Sequence, residues 1–298
     1  MTFNSIPITR VAHSLTDAMG VEPPHQAEEP IPMIETLVKT YCKSGKAEKM
    51  LIFCPDAIGQ WLIQKYTVDF APVLRHIQLQ VPLCSAFPPV TPVNFASIFT
   101  GSQPNVHGIR IYEKKLLDPN EIDTVFDAFA RAGKKVALIA IENSSMGTIF
   151  RGRNGIDYYI ENEIEFTNDP DGTTTVKRGL EVLDKVDENG EPYYDVVIIY
   201  TMKYDDNMHE TYPESPKSLH AMRCDNQHFA LLAEKTAKVW AKYDTLLAYC
   251  TDHGIHADHH SYNGAHKDKD GRGMHYADIP EDMNVTHFFG IQPAEKNE

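Results

Sequence analysis

Thr251-Asp252-His253-Gly254 closes an apolar run, residues 246–250, by setting a carboxylate beside an imidazole. Such a pair in a tight turn at a strand end can direct two ligands toward metal ions, and Gly254 lets the backbone turn away. The plainer alternative is an Asp that caps the next helix beside a surface histidine. In Tyr204-Asp205-Asp206-Asn207-Met208-His209, Asp205 and His209 are four residues apart. On a helical turn that spacing puts both on one face, within reach of one ion. Carboxylate with imidazole suits Zn2+ or Mn2+. Asp206 competes for the ligand role, and a solvated polar loop is the alternative for the whole stretch.

Thr91 follows the proline-rich approach Phe87-Pro88-Pro89-Val90 and precedes the apolar run from Pro92 to Gly101. A hydroxyl at a helix start lies among unsatisfied N–H groups and the positive end of the dipole, a favourable place for an alkoxide or a phosphate. Taken alone, Thr91 reads as a plain helix N-cap. The C-terminal part adds His256, His259, His260, His266, His275 and His287. Most of these are expected to face solvent or support their neighbours, and a few are ligand candidates. A loose surface metal site is the other reading of so dense a run.

The elements that must position these residues are legible as apolar runs of strand length at 50–54, 135–141, 195–201 and 245–251. Each is followed by a helical pattern. Residues 124–132 form an amphipathic helix closed by Gly133. Residues 227–243 form a longer one with Phe229, Leu232, Ala233, Thr236, Val239 and Trp240 at helical spacing. Alternating strands and helices predict an α/β three-layer sandwich around a largely parallel sheet. Ligands of such sheets gather outside the carboxyl ends of the strands. Asp56, the Asp205–His209 pair and the Asp252–His253 pair each follow one of these runs, so all three fall at that edge.

Length and composition set outer limits. The chain has 298 residues, of which 42% are hydrophobic, enough to bury a large core without a staple. We expect one domain over residues 1–298. Residues 1–45 are an irregular, partly helical lead-in, and residues 142–175 a small cap segment. Phe150, Tyr158, Tyr159 and Phe166 of that segment either stack on a base or fill core, and core filling is the favoured reading. The net charge of −14 argues against nucleic acid polymers and anionic membranes as partners. It leaves room for a small phosphorylated substrate, because divalent cations reverse the local field. Five scattered cysteines suggest neither a disulfide framework nor a thiolate zinc site. The first twenty residues lack the apolar stretch of a signal peptide, and a cytoplasmic location is expected.

Taken in order, these pieces resemble the alkaline phosphatase superfamily, most closely its type I phosphodiesterase and nucleotide pyrophosphatase branch. Pro55-Asp56-Ala57-Ile58-Gly59 is similar to the first metal-binding turn of that branch. Phe87 through Gly101, followed by Gln103-Pro104-Asn105-Val106-His107-Gly108-Ile109, resembles its nucleophile segment. Asp205 to His209 resembles its Asp-x-x-x-His element, and Thr251 to Gly254 its Asp-His-Gly turn. Gly273-Met274-His275-Tyr276 and the segment from Asp282 to Ile291 resemble its Gly-x-His motif and closing strand.

The resemblance implies an alkaline-phosphatase-like fold and two divalent ions, zinc first and manganese second. Asp205, His209 and His275 would hold one ion, with His266 the alternative to His275. Asp56, Asp252, His253 and the Thr91 oxygen would hold the other. It further implies phosphoester hydrolysis through a phospho-threonine at Thr91, on a small phosphorylated substrate such as a nucleotide. Two departures bear on the substrate pocket. Phe95 replaces the family's histidine after the asparagine of the nucleophile segment. Tyr112 stands where the branch has an asparagine that binds a non-bridging phosphate oxygen. Asn94, Tyr112 and Arg110 are therefore the substrate-binding candidates, with Lys203 a further source of charge.

Overall fold

The computed structural model describes residues 2–258 and 271–295. The four apolar runs become β1 (Lys49–Pro55), β3 (Val136–Ile141), β5 (Val196–Thr201) and β6 (Thr245–Tyr249); the sheet adds β2 (Leu79–Cys84), β4 (Ile156–Glu161) and β9 (Asn284–Gln292), with β7 (His256–Asp258) and β8 (Arg272–Met274) as a separate short pair. The seven-stranded sheet has the order β2-β9-β6-β1-β5-β3-β4. Its pairs are parallel except for the two made by β9, which is antiparallel to both β2 and β6.

Burial explains the layers. Every residue of β1, β3, β5 and β6 is buried, as expected of strands covered on both faces. Side chains alternate across a strand. Met50, Ile52 and Cys54 of β1, with Val196, Ile198 and Tyr200 of β5, therefore join one core. Leu51 and Phe53, with Val197 and Ile199, join the opposite one. The helices Val11–Ala18, Pro32–Tyr41, Thr91–Thr100 and Val125–Arg131 cover the first face. Thr173–Leu183, Lys203–Glu210 and Pro216–Val239 cover the second. Each fully buried aliphatic or aromatic side chain in these layers contributes about 1.5–3 kcal/mol.

Three expectations need correction. Residues 1–45 are partly helical, as expected, but they belong to the core: Val11, Leu15, Ile34 and Val38 pack two helices into its first layer. Residues 142–175 do not stand over the sheet as a cap. They supply β4, which pairs with β3 along its full length, with a short helix on either side of it. Phe150 and Phe166 lie in the core, while Tyr158 donates to the Phe150 carbonyl at 2.5 Å and Tyr159 pairs with the Tyr194 hydroxyl at 2.6 Å. The long helix begins at Pro216 rather than residue 227, because Ser215 caps it by accepting from the Ser218 N–H at 3.0 Å. All five cysteines are free, and no helix among the described residues is long and apolar enough to cross a membrane.

Candidate active site

Four chain reversals meet at one edge of the sheet. Asp56 follows β1, the Thr91–Thr100 helix follows β2, the Lys203–Glu210 helix follows β5, and Asp252 and His253 follow β6. The β1 and β6 turns are tied together: the Ala57 N–H donates to Asp252 Oδ1 at 3.1 Å and the Ile58 N–H to Thr251 Oγ1 at 2.9 Å. Ala57 holds a left-handed φ of 63°, a conformation costing roughly 1–2 kcal/mol for a residue with a side chain. The strain sits beside a site residue, where such conformations concentrate. Gly254 has a different reason from the expected backbone turn. A Cβ there would lie 2.1 Å from the Glu281 carbonyl oxygen, so close packing excludes any side chain.

The predicted ligands fall into two adjoining sets. In one, His253 Nε2 lies 3.2 Å from Asp252 Oδ2 and 3.5 Å from Asp56 Oδ1, with Thr91 Oγ1 at 3.3 Å from the same nitrogen and 3.5 Å from the same Asp56 oxygen. In the other, Asp205 Oδ1 lies 3.4 Å from His209 Nε2 and 3.7 Å from His275 Nε2, and those two nitrogens are 3.2 Å apart. The sets touch through the His253 and His275 rings, whose centroids are 4.1 Å apart. Asp205, not Asp206, faces the histidines. His259, His260 and His266 lie outside the described residues.

Hydrogen bonding on the far side of each ring decides what the near side offers. His209 Nδ1 meets the Gly273 carbonyl at 3.0 Å, His275 Nδ1 the Pro89 carbonyl at 2.9 Å, and His253 Nδ1 the Gly254 carbonyl at 2.9 Å. A carbonyl can only accept, so each Nδ1 carries a proton and Nε2 is the inward-facing atom that can offer a lone pair to a cation. Asp205 Oδ1 and Asp252 Oδ2 are buried there with no hydrogen-bond partner. Burial first, then the Asp252 and Asp205 charges, pushes the Asp56 carboxyl well up. Burial and then Asp206 and Asp252 do the same to Asp205, and burial raises Asp252. Burial, then His253 and His209, holds His275 well below the usual imidazole range. Three inward imidazole nitrogens and two orphaned carboxylate oxygens have no shared partner but a cation, and this mixed N/O donor set fits divalent zinc or manganese.

Supporting residues explain the precision. Val90, not Thr91, is the N-cap, and Thr91 is the first helical residue, so its hydroxyl is free of capping duty. Asn94, expected to bind substrate, is instead fully buried. Its Oδ1 accepts from the Ala86 N–H at 2.7 Å and its Nδ2 faces the carbonyls of Ala86, Pro88 and Val90 at 3.2–3.3 Å. The amide is spent on holding the loop that presents Thr91. Tyr200 donates to Asp56 Oδ2 at 2.5 Å, and Phe95 packs edge-on against its ring at 5.3 Å. Tyr200 was missed by sequence reasoning, although a lone phenol near the end of an apolar strand was a usable signal. Tyr200→Phe is expected to keep the fold and lower metal affinity about 10–100-fold, as loss of a ligand-orienting partner does; calorimetric zinc titration reads it, and unchanged affinity would remove Tyr200 from the site.

Tyr112 stands 57% exposed at the mouth, near enough that the charges of Asp56, Asp205 and Asp206 add to burial in raising its phenol. Arg110 does not join the site and reaches back along the surface to the Asn105 carbonyl at 3.5 Å. Lys203 is likewise committed elsewhere, donating to the carbonyls of Phe166 and Thr167 at 3.1 and 3.0 Å. His287 is buried against the Thr251 carbonyl at 2.6 Å and braces the Asp-His turn. His256 pairs with the buried Asp282 at 2.8 Å, and Asp282 also accepts from the Ala277 N–H two residues beyond His275.

A family model described as type I phosphodiesterase / nucleotide pyrophosphatase matches residues 50–269. No curated protein matches the chain. Among solved structures, phosphonoacetate hydrolase from Sinorhizobium meliloti with phosphonoformate is similar at 17% identity and a TM-score of 0.52, over 72% of this chain and 58% of that one. Murine ectonucleotide pyrophosphatase / phosphodiesterase 5, as an inactive threonine-to-alanine variant with AMP, is similar at 15% identity and a TM-score of 0.58, over 83% of this chain and 88% of that one. The human counterpart gives 15% and 0.57 over 82% and 88%. At these identities the likeness is one of fold, the three-layer α/β architecture described above.

Proposed function

Because the chain belongs to the type I phosphodiesterase / nucleotide pyrophosphatase family of phosphoester hydrolases, we propose that it cleaves phosphodiesters or pyrophosphates of small molecules with two divalent metal ions and a phosphorylated Thr91 as intermediate. One observation carries the reading: the Thr91 hydroxyl lies at 3.3 and 3.5 Å from the inward-facing atoms of His253 and Asp56. Asp56, Asp252, His253 and Thr91 would hold one ion, and Asp205, His209 and His275 the other. Bound there, the ions would supply Lewis-acid charge that lowers the pKa of the hydroxyl and of water and offsets charge on the phosphoryl group.

The chain's own residues do the rest. Thr91 Oγ1 gives its proton to solvent and attacks phosphorus as the bond to the leaving oxygen breaks, and the leaving oxygen takes up a proton from solvent. The start of the Thr91–Thr100 helix offers backbone N–H groups of Thr91 and Val93, which have no carbonyl four residues back within the helix, to the phosphoryl oxygens. Pro92 has no N–H, and that of Asn94 is already given to Val90. Water then attacks phosphorus, the bond to Thr91 breaks, and Oγ1 regains a proton. Tyr112 at the mouth can donate to a phosphoryl oxygen and offer its ring to a base. The inactive threonine-to-alanine variant of the murine relative, with AMP bound, supports both the nucleophile and a nucleotide substrate.

A phosphomonoesterase, a phosphonate hydrolase and a phosphotransferase share these parts. A mutase with a large inserted domain is disfavoured, because the chain between Thr91 and Asp205 is used to build β3, β4 and β5. The deciding experiment is a panel of phosphodiester, pyrophosphate, phosphomonoester and phosphonate substrates on zinc- or manganese-reconstituted protein. The diester or pyrophosphate is expected to show the highest kcat/KM. A preference for monoester or phosphonate would replace this substrate reading, and transfer to an added alcohol would make the protein a transferase. Tyr112→Ala is expected to raise KM about tenfold for a nucleotide, the size of one lost stacking contact. An equal loss on a substrate without a base would deny the stacking role.

A further inference from the structure

Away from the active site, the described residues bring metal-ligating atoms together at one other place. Asp171 lies in the turn before the Thr173–Leu183 helix, and His220 and Cys224 stand one helical turn apart on Pro216–Val239. His220 Nε2 is 2.8 Å from Asp171 Oδ1, and Cys224 Sγ is 3.5 Å from that nitrogen and 4.0 Å from that oxygen. Around a tetrahedral zinc ion, with its ordinary bond lengths to S, N and O, ligand atoms sit about 3.3–3.6 Å apart. The side chains are partly exposed, so small rotations bring all three atoms onto such a sphere.

The helix face continues inward from Cys224 to Asp225, 1% exposed, and His228, 9% exposed. Burial pushes the Asp225 carboxyl up to about 8, with Thr201 the side chain hydrogen-bonded to it, and its nearest oxygen lies 4.0 Å from His228 Nδ1. Asp225 follows Cys224 directly in the helix and His228 lies one turn further on. Two simpler readings fit less well. Burial, then Asp171 and Asp225, pushes the Cys224 thiol up to about 11, the opposite of what a reactive cysteine needs. An exposed Asp171–His220 pair alone contributes about 0–1 kcal/mol and gives no reason for the thiol to stand against both of its members.

We propose that Asp171, His220 and Cys224 form a second metal centre, separate from the catalytic one, that takes a borderline-soft divalent cation such as Zn2+. On binding, the thiol proton passes to solvent, and the His220 Nε2 proton that faces Asp171 gives way to the ion, leaving the ring's proton on Nδ1. The ion pins the turn at residues 169–172 to the long helix. That turn abuts the start of the helix bearing Asp205 and His209, since a Cβ at Gly172 would come within 3.2 Å of Lys203 Cβ.

Cobalt titration of the metal-free full chain tests this, because the catalytic ligands contain no sulfur. A sulfur-to-cobalt charge-transfer band in the near ultraviolet is expected in the wild type and in Thr91→Ala. The band should vanish in Cys224→Ser, and its titration should need at least tenfold more cobalt in His220→Ala. No band in the wild type, or an unchanged band in Cys224→Ser, overturns the proposal. Should Cys224→Ser fail to fold, zinc-dependent protection of wild-type Cys224 from iodoacetamide, mapped by peptide mass, decides between the same two outcomes: protection supports the site and full alkylation refutes it.

Discussion

Replacing Thr91 with alanine is expected to lower kcat by about 10^4-fold or more while leaving the protein folded. The size follows from the role: when a nucleophile is lost, only the catalysis from binding and charge stabilisation remains. The fold should survive because the substitution removes a hydroxyl and one methyl from a site that is 4% exposed, a cost of about 1 kcal/mol. In a chain of this size that is about 2 °C in Tm. Thr91→Ser keeps the attacking oxygen and should retain activity within about a hundredfold. Acid quenching of wild-type turnover with a labelled phosphoryl group should trap label on Thr91, and none in the alanine variant. Turnover within tenfold of wild type in metal-loaded Thr91→Ala would end the phospho-threonine mechanism.

The contrast between Thr91 and Asn94 shows what a sequence can and cannot disclose about such a site. Asp56, Asp205, His209, Asp252 and His253 were legible because strand ends and helical spacing are periodic properties, and the period alone sends these side chains to one edge. Asn94 lies three residues past Thr91 on the same helix and carries equally suitable atoms. Only the folded loop reveals that its amide is used up on the backbone of Ala86, Pro88 and Val90. The carbonyls of Pro89, Gly273 and Gly254 that set the histidine tautomers carry no side-chain signature at all. Residues 142–175 misled for another reason. β4 pairs as an edge strand, where Asp157, Tyr158, Tyr159, Ile160 and Glu161 are only partly buried or exposed, so its apolar pattern is too weak to separate it from a surface segment. Residues 1–45 were legible as partly helical but not as core, because their prolines, which lie between helices or at a first turn, positions proline tolerates, break up the apolar pattern.

Stripping the divalent ions is expected to reduce turnover by more than about 10^3-fold, since the hydroxyl and water then keep their ordinary pKa values, and to leave a distinctive pH signature in stability. In the metal-free protein, burial first raises the carboxyls of Asp56, Asp205 and Asp252 above their unfolded values, and Asp206 to about 6. A raised carboxyl contributes stability fully below its unfolded pKa of about 4 and loses it as pH climbs through the folded value. His209 and His275 are lowered by burial, so their contribution has the opposite sign: present above an unfolded pKa of about 6.5 and lost as pH falls through the folded value. The two trends oppose each other in the metal-free protein. Metal binding makes them agree, because the loaded site needs every carboxylate ionised and every imidazole neutral, and so releases protons. Each proton released makes affinity rise about tenfold per pH unit, or about 1.4 kcal/mol of added stability at fixed excess metal. The increase in Tm on zinc loading should therefore be several degrees larger at pH 7.5 than at pH 5.5, measured by calorimetry on the same preparation. An increment equal at the two values, or larger in acid, would mean that these carboxylates and imidazoles are not the groups that hold the metal.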